Sequence, residues 1–325
     1  MRRLLLIAVL AACGGSSKPA PTAPLPGEPK EASAAPAPPA ESKPAPDPAP
    51  SKPAPPAGPV EVKIPAAQTT VKVVSGGKGK KETVRYTAKA GSKQAIELAM
   101  DFTGKQDTEE QIVPTIVLTG EAETRAVDKD GNAEYTVTVT GTDARSVAGS
   151  QVPVDKFKAV IGSLAGLTIG GTLGTTGVAS DVTLRIESPG ENAADTLELL
   201  RLTYPALPVL PKEAVGLGAK WQSTTSAKLA DRLDVTQVTD YELVAHNGAT
   251  WTIKGTTKVT GKDQSIEDSK VSAISGSGTS ETTISAGALY PTHKASVETQ
   301  FKAQEKDKQT QFTIKVGGAV TPRAP

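Results

Sequence analysis

A single cysteine stands among the 325 residues. That excludes an intramolecular disulfide framework and any thiolate metal cluster. Two histidines leave little for a zinc site or for histidine-based acid/base work. The 36 Lys+Arg and 35 Asp+Glu nearly cancel, so the strongly basic surface of a nucleic-acid binder is missing. Aromatics make up 3% of the chain, and none precedes Tyr86. The long apolar run of a permanent membrane helix is also missing. Leu4 to Leu10 is a pronounced apolar stretch, but it is too short to span a bilayer.

What is present at the N-terminus has a secretory layout. Arg2 and Arg3 form a positive n-region, Leu4–Leu10 an apolar h-region, and Ala11 and Ala12 a small-residue cleavage site. The next residue is Cys13, the only cysteine. Leu10-Ala11-Ala12-Cys13 resembles the lipobox of bacterial lipoproteins. The resemblance implies that residues 1–12 are a signal peptide and that the Cys13 thiol is diacylglycerylated. It also implies cleavage before Cys13 and acylation of the new amine with fatty acids such as palmitate. Two or three chains anchor a protein stably where one does so only marginally. Gly14 is not the aspartate that resembles an inner-membrane retention signal. The expected place is therefore the bacterial cell envelope, at the outer membrane, with the lipid bilayer as partner through acylated Cys13.

Residues 13–59 carry the lipidated cysteine and a tether. Positions 14–59 hold 16 of the 26 prolines, with alanine, lysine and serine filling most of the rest. Leu25 is the lone bulky aliphatic there, so ordering would cost more entropy than burial returns, and disorder is expected. As polyproline II at about 3.1 Å per residue it would reach on the order of 140 Å. Four lysines balance four acidic residues, leaving no net charge for anionic lipid. A spacer is favoured over a recruitment motif for a proline-reading domain.

Residues 60–325 change to Thr, Val, Gly and Ser with period-two alternation. Ile96, Leu98, Met100 and Phe102 oppose Glu97, Asp101 and Thr103; Tyr135, Val137 and Val139 oppose Glu134, Thr136 and Thr138. Such patterning predicts antiparallel strands solvated on one face. Two stretches differ. Val154, Phe157, Val160, Ile161 and Leu164 are spaced as on a helix, between Pro153 and Gly166. Asn192–Leu202 is the second helical stretch, stopped by Pro205 and Pro208. Strand candidates Leu167–Leu173 and Val178–Glu187 lie between them, and about six more strands follow. The expected fold is α+β, mainly β: one large curved antiparallel sheet, half-barrel-like, with two helices inserted mid-chain.

Leu210-Pro211 followed by Val215-Gly216-Leu217-Gly218-Ala219-Lys220-Trp221 resembles a family of uncharacterised bacterial lipoprotein and secreted domains. That resemblance implies the half-barrel of LolA- and LppX-type lipid-handling proteins, and it brings no functional residue with it. Independently, Pro211 ends the connection, Gly216 and Gly218 permit a tight turn, and Trp221 packs at the next strand's start.

Reactive motifs are weak. Asp128-Lys129-Asp130-Gly131-Asn132 opens like a calcium loop, but the glycine and glutamate positions hold Ala133 and Val139, so a hairpin turn is favoured. Gly255 to Lys262 is not a phosphate loop, because Asp263 replaces the metal-holding hydroxyl. No Gly-x-Ser-x-Gly occurs. His246 and His293 lie beside turn signals, where exposure is the expectation. No catalytic residue, metal ligand set or cofactor is therefore expected. Phe102, Phe157, Trp221, Trp251 and Phe301 are the candidates for an apolar ligand pocket, although core packing is the commoner use of such side chains. The functional expectation is a membrane-anchored, non-enzymatic envelope lipoprotein that binds or carries a lipid or other apolar ligand. An interaction scaffold for other envelope components is the alternative, and a hydrolase without a recognisable motif is third. Nothing in the sequence specifies a protein partner.

Overall fold

Long alternating stretches can bury one face only by pairing side by side, and the chain does so on a large scale. The computed structural model describes residues 58–190, 193–204, 206–229 and 232–323. The signal stretch, Cys13 and the tether up to residue 57 lie outside the described residues.

Seven strands come first: β1 (Val60–Ile64), β2 (Gln68–Ser75), β3 (Lys78–Glu82), β4 (Lys93–Gln106), β5 (Glu109–Ile112), β6 (Thr115–Val127) and β7 (Ala133–Arg145). Helix α1 (Val154–Ile161) tightens into a 3-10 turn at Gly162–Leu164. The hairpin β8 (Thr168–Leu173) and β9 (Ala179–Ile186) leads to helix α2 (Ala193–Thr203). The rest is β10 (Val215–Leu217), β11 (Lys220–Leu229), β12 (Leu233–Asn247), β13 (Thr250–Thr260), β14 (Gln264–Ile266), β15 (Ser269–Ser285), β16 (Thr292–Glu305) and β17 (Lys308–Pro322). The fold is thus mainly β with two short helices inserted mid-chain. Among the described residues eight strands follow α2 where about six were expected; β10 and β14 are three residues each, too short for alternation to register.

Both helices end where local chemistry dictates. Ala165 and Gly166 close the first, Gly166 with a positive φ. The second stops at Thr203, two residues before the proline at 205, because the residue preceding a proline is pushed out of helical geometry. Ala193, Thr196, Leu197, Leu199, Leu200 and Thr203 are all buried, so α2 lies within the core rather than upon it.

The strands form one antiparallel sheet in the order β1-β9-β8-β7-β6-β4-β17-β16-β15-β13-β12-β11-β2, with β14 on β15 and β5 on β4. β3 and β10 make a separate pair. The two edges of the main sheet, β1 and β2, are consecutive in sequence, joined by Pro65, Ala66 and Ala67 alone. At roughly 3.5 Å per residue that link holds Ile64 and Gln68 within about 14 Å. Glu61, Lys63 and Lys72 point outward along these edges and discourage pairing with other chains.

The main core joins α1 and α2 to one face of the sheet through residues such as Leu98, Leu118, Phe157, Leu184, Leu197 and Trp221. A second cluster near the ends of β12–β16 holds Val259, Val271, Ile274 and Phe301, where Phe301 stacks on its cross-strand partner Phe312 at 5.3 Å. On the opposite face Glu97 is buried, although alternation predicts it exposed. Its two oxygens are capped by Arg145 and Arg323, which pins the ends of β7 and β17 to β4.

The Leu210–Trp221 signature is a fastening. The Trp221 indole donates to the Val209 carbonyl at 2.9 Å, and the Tyr86 hydroxyl donates to Pro208 at 3.1 Å. Arg85 donates to the carbonyls of Pro211 and Lys212 at 2.8 and 2.6 Å. Gly216 lies against the backbone of Lys78, where any Cβ would collide with the Lys78 carbonyl. These contacts hold residues 206–212 in a fixed path across the interior.

Candidate functional site: a cavity on the inner face

The register of β11–β17 aligns inward residues in rows. One row runs Val71, Ser223, Thr239, Thr257, Gly278, Val297, Val316 across seven neighbouring strands. The next runs Trp221, Tyr241, Gly255, Ser280, Ala295, Gly318. Small side chains dominate the middle of both. At Gly278 a Cβ would strike the Ser296 carbonyl, and at Gly276 the Glu298 carbonyl, so β15 can approach β16 only with glycine there. Rows without bulk leave room.

The room is a cavity of about 380 Å³. Ser223, Thr225, Thr239, Thr257 and Thr299 give one part of its wall a hydroxyl surface. Leu173 on β8, Val178 beside it, Val182 on β9, and Leu207 and Val209 of the fastened segment give an apolar surface. The C-terminal turn of α2, Arg201–Tyr204, forms another side. A more open recess of about 790 Å³ adjoins it. The two share Ile64, Pro65 and Ala67 of the β1–β2 link together with Arg201 and Leu202.

Three tyrosines cluster in the cavity wall. The hydroxyls of Tyr204 and Tyr290 are 3.0 Å apart, and the ring of Tyr135 meets Tyr290 edge-on at 5.7 Å. Burial pushes all three phenols above their ordinary range, so they stay protonated and neutral. Gln94 fixes Tyr290 by donating to its carbonyl at 2.9 Å and accepting from its N–H at 3.0 Å. Among the described residues Arg201 is the one formally charged residue in the cavity wall, and its guanidinium is held by Glu198 at 2.8 Å.

The five aromatic candidates lie elsewhere; none lines either hollow. Phe157 and Trp221 are buried in the main core, Phe102 sits half-buried at its margin, and Phe301 belongs to the second cluster. Trp251 is half-buried and stacks on His246 at 5.3 Å. Large rings fill space, so the hollow forms where the rows lack them. The tyrosine cluster and the hydroxyl wall were not anticipated. Their signal was small residues at alternating inward positions, Ser223 and Thr225 on β11, Thr239 and Thr257 on the next two strands, and Gly276 and Gly278 on β15.

His293 is buried rather than exposed. Thr282 Oγ1 pairs with its Nδ1 at 2.7 Å, while Nε2 has no partner among the described residues. His246 contacts the Gly248 carbonyl at 2.8 Å through Nε2. Asp128 closes the β6–β7 hairpin by accepting from the Asn132 side-chain amide at 2.8 Å and from the N–H groups of Asn132 and Asp130 at 2.9 and 2.8 Å, and these bonds, the side-chain one first, hold its carboxyl below the usual range. Its oxygens serve the turn.

Residues 205–288, from just after α2 to just past the end of β15, match the model of a family of unknown function, DUF6263. No curated protein matches the chain. A solved structure, the outer membrane protein OprG from Pseudomonas aeruginosa, aligns at 9% identity over 73% of this chain and 98% of its own. The TM-score is 0.19, too low to carry an argument about fold or function.

Proposed function

We propose that this chain is a lipid-anchored, non-enzymatic envelope protein whose sheet curls into a half-barrel around a binding cavity for a small, largely apolar molecule. The observation that carries the reading is the cavity's wall. Ala179 and Val182 of β9 and Ser223 and Thr225 of β11 border the same space, although β9 and β11 stand next to opposite edges of the sheet. One face of a sheet meets itself in this way when the sheet is strongly coiled, and the short β1–β2 link supports the same curl. A volume of about 380 Å³ falls within the range of about 300–1,000 Å³ usual for small-molecule sites.

In this reading acylated Cys13 holds the protein at the outer membrane and the proline-rich tether sets the cavity off the surface. The half-barrel that the Leu210–Trp221 resemblance implies would suit a carrier role. Radiolabelled palmitate is expected to enter the wild-type chain in bacterial cells and not the Cys13→Ser variant. Label retained in the variant would remove the anchor from the proposal.

Binding has its own test. The full-length chain carrying Cys13→Ser, purified without detergent, is expected to show a bound small-molecule mass by native mass spectrometry. Val297→Trp, which projects a ring into the cavity row, should abolish it. A wild-type chain that stays empty and also excludes an apolar fluorescent dye would end the binding reading.

A further inference from the structure

A cavity meant for a bare acyl chain has little use for a wall of hydroxyls. Ser223, Thr225, Thr239, Thr257 and Thr299 all border this one. Some satisfy each other: Thr239 and Thr257 share a hydrogen bond at 2.9 Å across β12 and β13. Tyr241 also bonds Ser223 and Thr239, and Thr69 bonds Thr225 at 2.9 Å, but each hydroxyl offers one donor and two acceptor sites, so acceptor sites remain unused along the wall. Against hydrocarbon those sites would be desolvated without return; against ligand oxygens they would be matched.

Charge selects further. The tyrosine cluster is neutral, and Arg201 is already held by Glu198. A carboxylate or ammonium group entering the cavity would lose its water without gaining an uncommitted counter-charge, which is the costly case for burial. The apolar contribution from Leu173, Val178, Val182, Leu207 and Val209 still calls for a hydrocarbon part.

We infer that the ligand is a neutral amphiphile with one short hydrocarbon part and several hydroxyl or ether oxygens along one edge, of the alkyl glycoside kind. Fatty acids and cationic lipids are disfavoured. The inference rests on the cavity being a binding site, as proposed above, and adds the class of molecule it takes. A volume near the lower end of the ligand-site range suits one chain and one ring, not two long acyl chains.

The test compares three probes with equal tails: octyl glucoside below its micelle concentration, octanoate and octyltrimethylammonium. Each is titrated calorimetrically into the full-length Cys13→Ser chain. Octyl glucoside is expected to bind at least about tenfold tighter than either ion, since mismatched or unpaired buried polar groups discriminate strongly. Valine keeps the shape of threonine and removes the hydroxyl. The Thr239→Val/Thr257→Val double variant should therefore weaken octyl glucoside about tenfold while an apolar fluorescent dye binds as before, showing that the cavity is intact. Octanoate or the ammonium binding as tightly as the glucoside would overturn the ligand class and leave cavity binding standing. Unchanged glucoside affinity in the double variant would do the same. If no probe binds and the dye is also excluded, both this inference and the binding reading fall.

Discussion

Trp221→Ala should cost about 4 kcal/mol of folding stability, the largest single effect expected in this chain. Trp221 is 1% exposed and stacks on Tyr241 at 5.5 Å. Its indole N–H is also the donor that holds Val209. Truncation thus removes a large buried surface, opens a void, and leaves the Val209 carbonyl without that donor. Trp221→Phe separates the terms, because it keeps most of the ring but not the donor; its cost should be about 1–2 kcal/mol. Urea unfolding followed by circular dichroism measures both. A loss below about 1 kcal/mol for the alanine variant would mean that the fastening of residues 206–212 does not depend on Trp221. The effect reaches the cavity as well, since Leu207 and Val209 form part of its wall.

Acid should destabilise the protein through His293. Burial pushes its pKa down from 6.5 to about 4. Between these values the unfolded chain binds a proton that the folded chain refuses, so stability falls as pH drops from about 6.5 toward 4 and levels off below that for this group. The drop amounts to about 3 kcal/mol, and at 2% exposure solvent screens little of it. Asp128, Asp143 and Glu187 have pKa values lowered by hydrogen bonds, so their losses come at more acid pH than most of this window. Stability measured from pH 7 to 4.5 should slope steeply in the wild type and nearly flatten in His293→Asn, which can still meet Thr282. Equal slopes in the two proteins would show that His293 protonates freely in the fold.

How much was legible beforehand differs by residue. The helices expected around Val154 and from about Asn192 formed within a residue or two, because Pro153, Gly166 and the proline at 205 act locally. The strand pair expected at Leu167–Leu173 and Val178–Glu187 formed as β8 and β9 for the same reason. His293 was misplaced because proximity to a turn signal says nothing about what packs over a side chain. Glu97 was misjudged likewise: its polar face is outward, but Arg145 and Arg323 arrive from 48 and 226 residues away to cover it.

The sequence by itself determined a mainly β chain with two mid-chain helices, and it marked Cys13 and the proline-rich stretch ahead of them. Those features rest on short-range physics: alternation, turn residues, proline geometry and composition. Only the tertiary structure decided which rows meet. β4 pairs with β17 and β1 with β9, joining residues far apart in the chain, and no local pattern specifies such partners. The same long-range pairing brings Tyr135, Tyr204 and Tyr290 together and lines up Ser223, Thr239 and Thr257 beside strand glycines. A single cysteine excludes an intramolecular disulfide and a thiolate metal cluster. The hollow came from a different scarcity, that of bulky side chains on the inner rows, which shows only once the register is known.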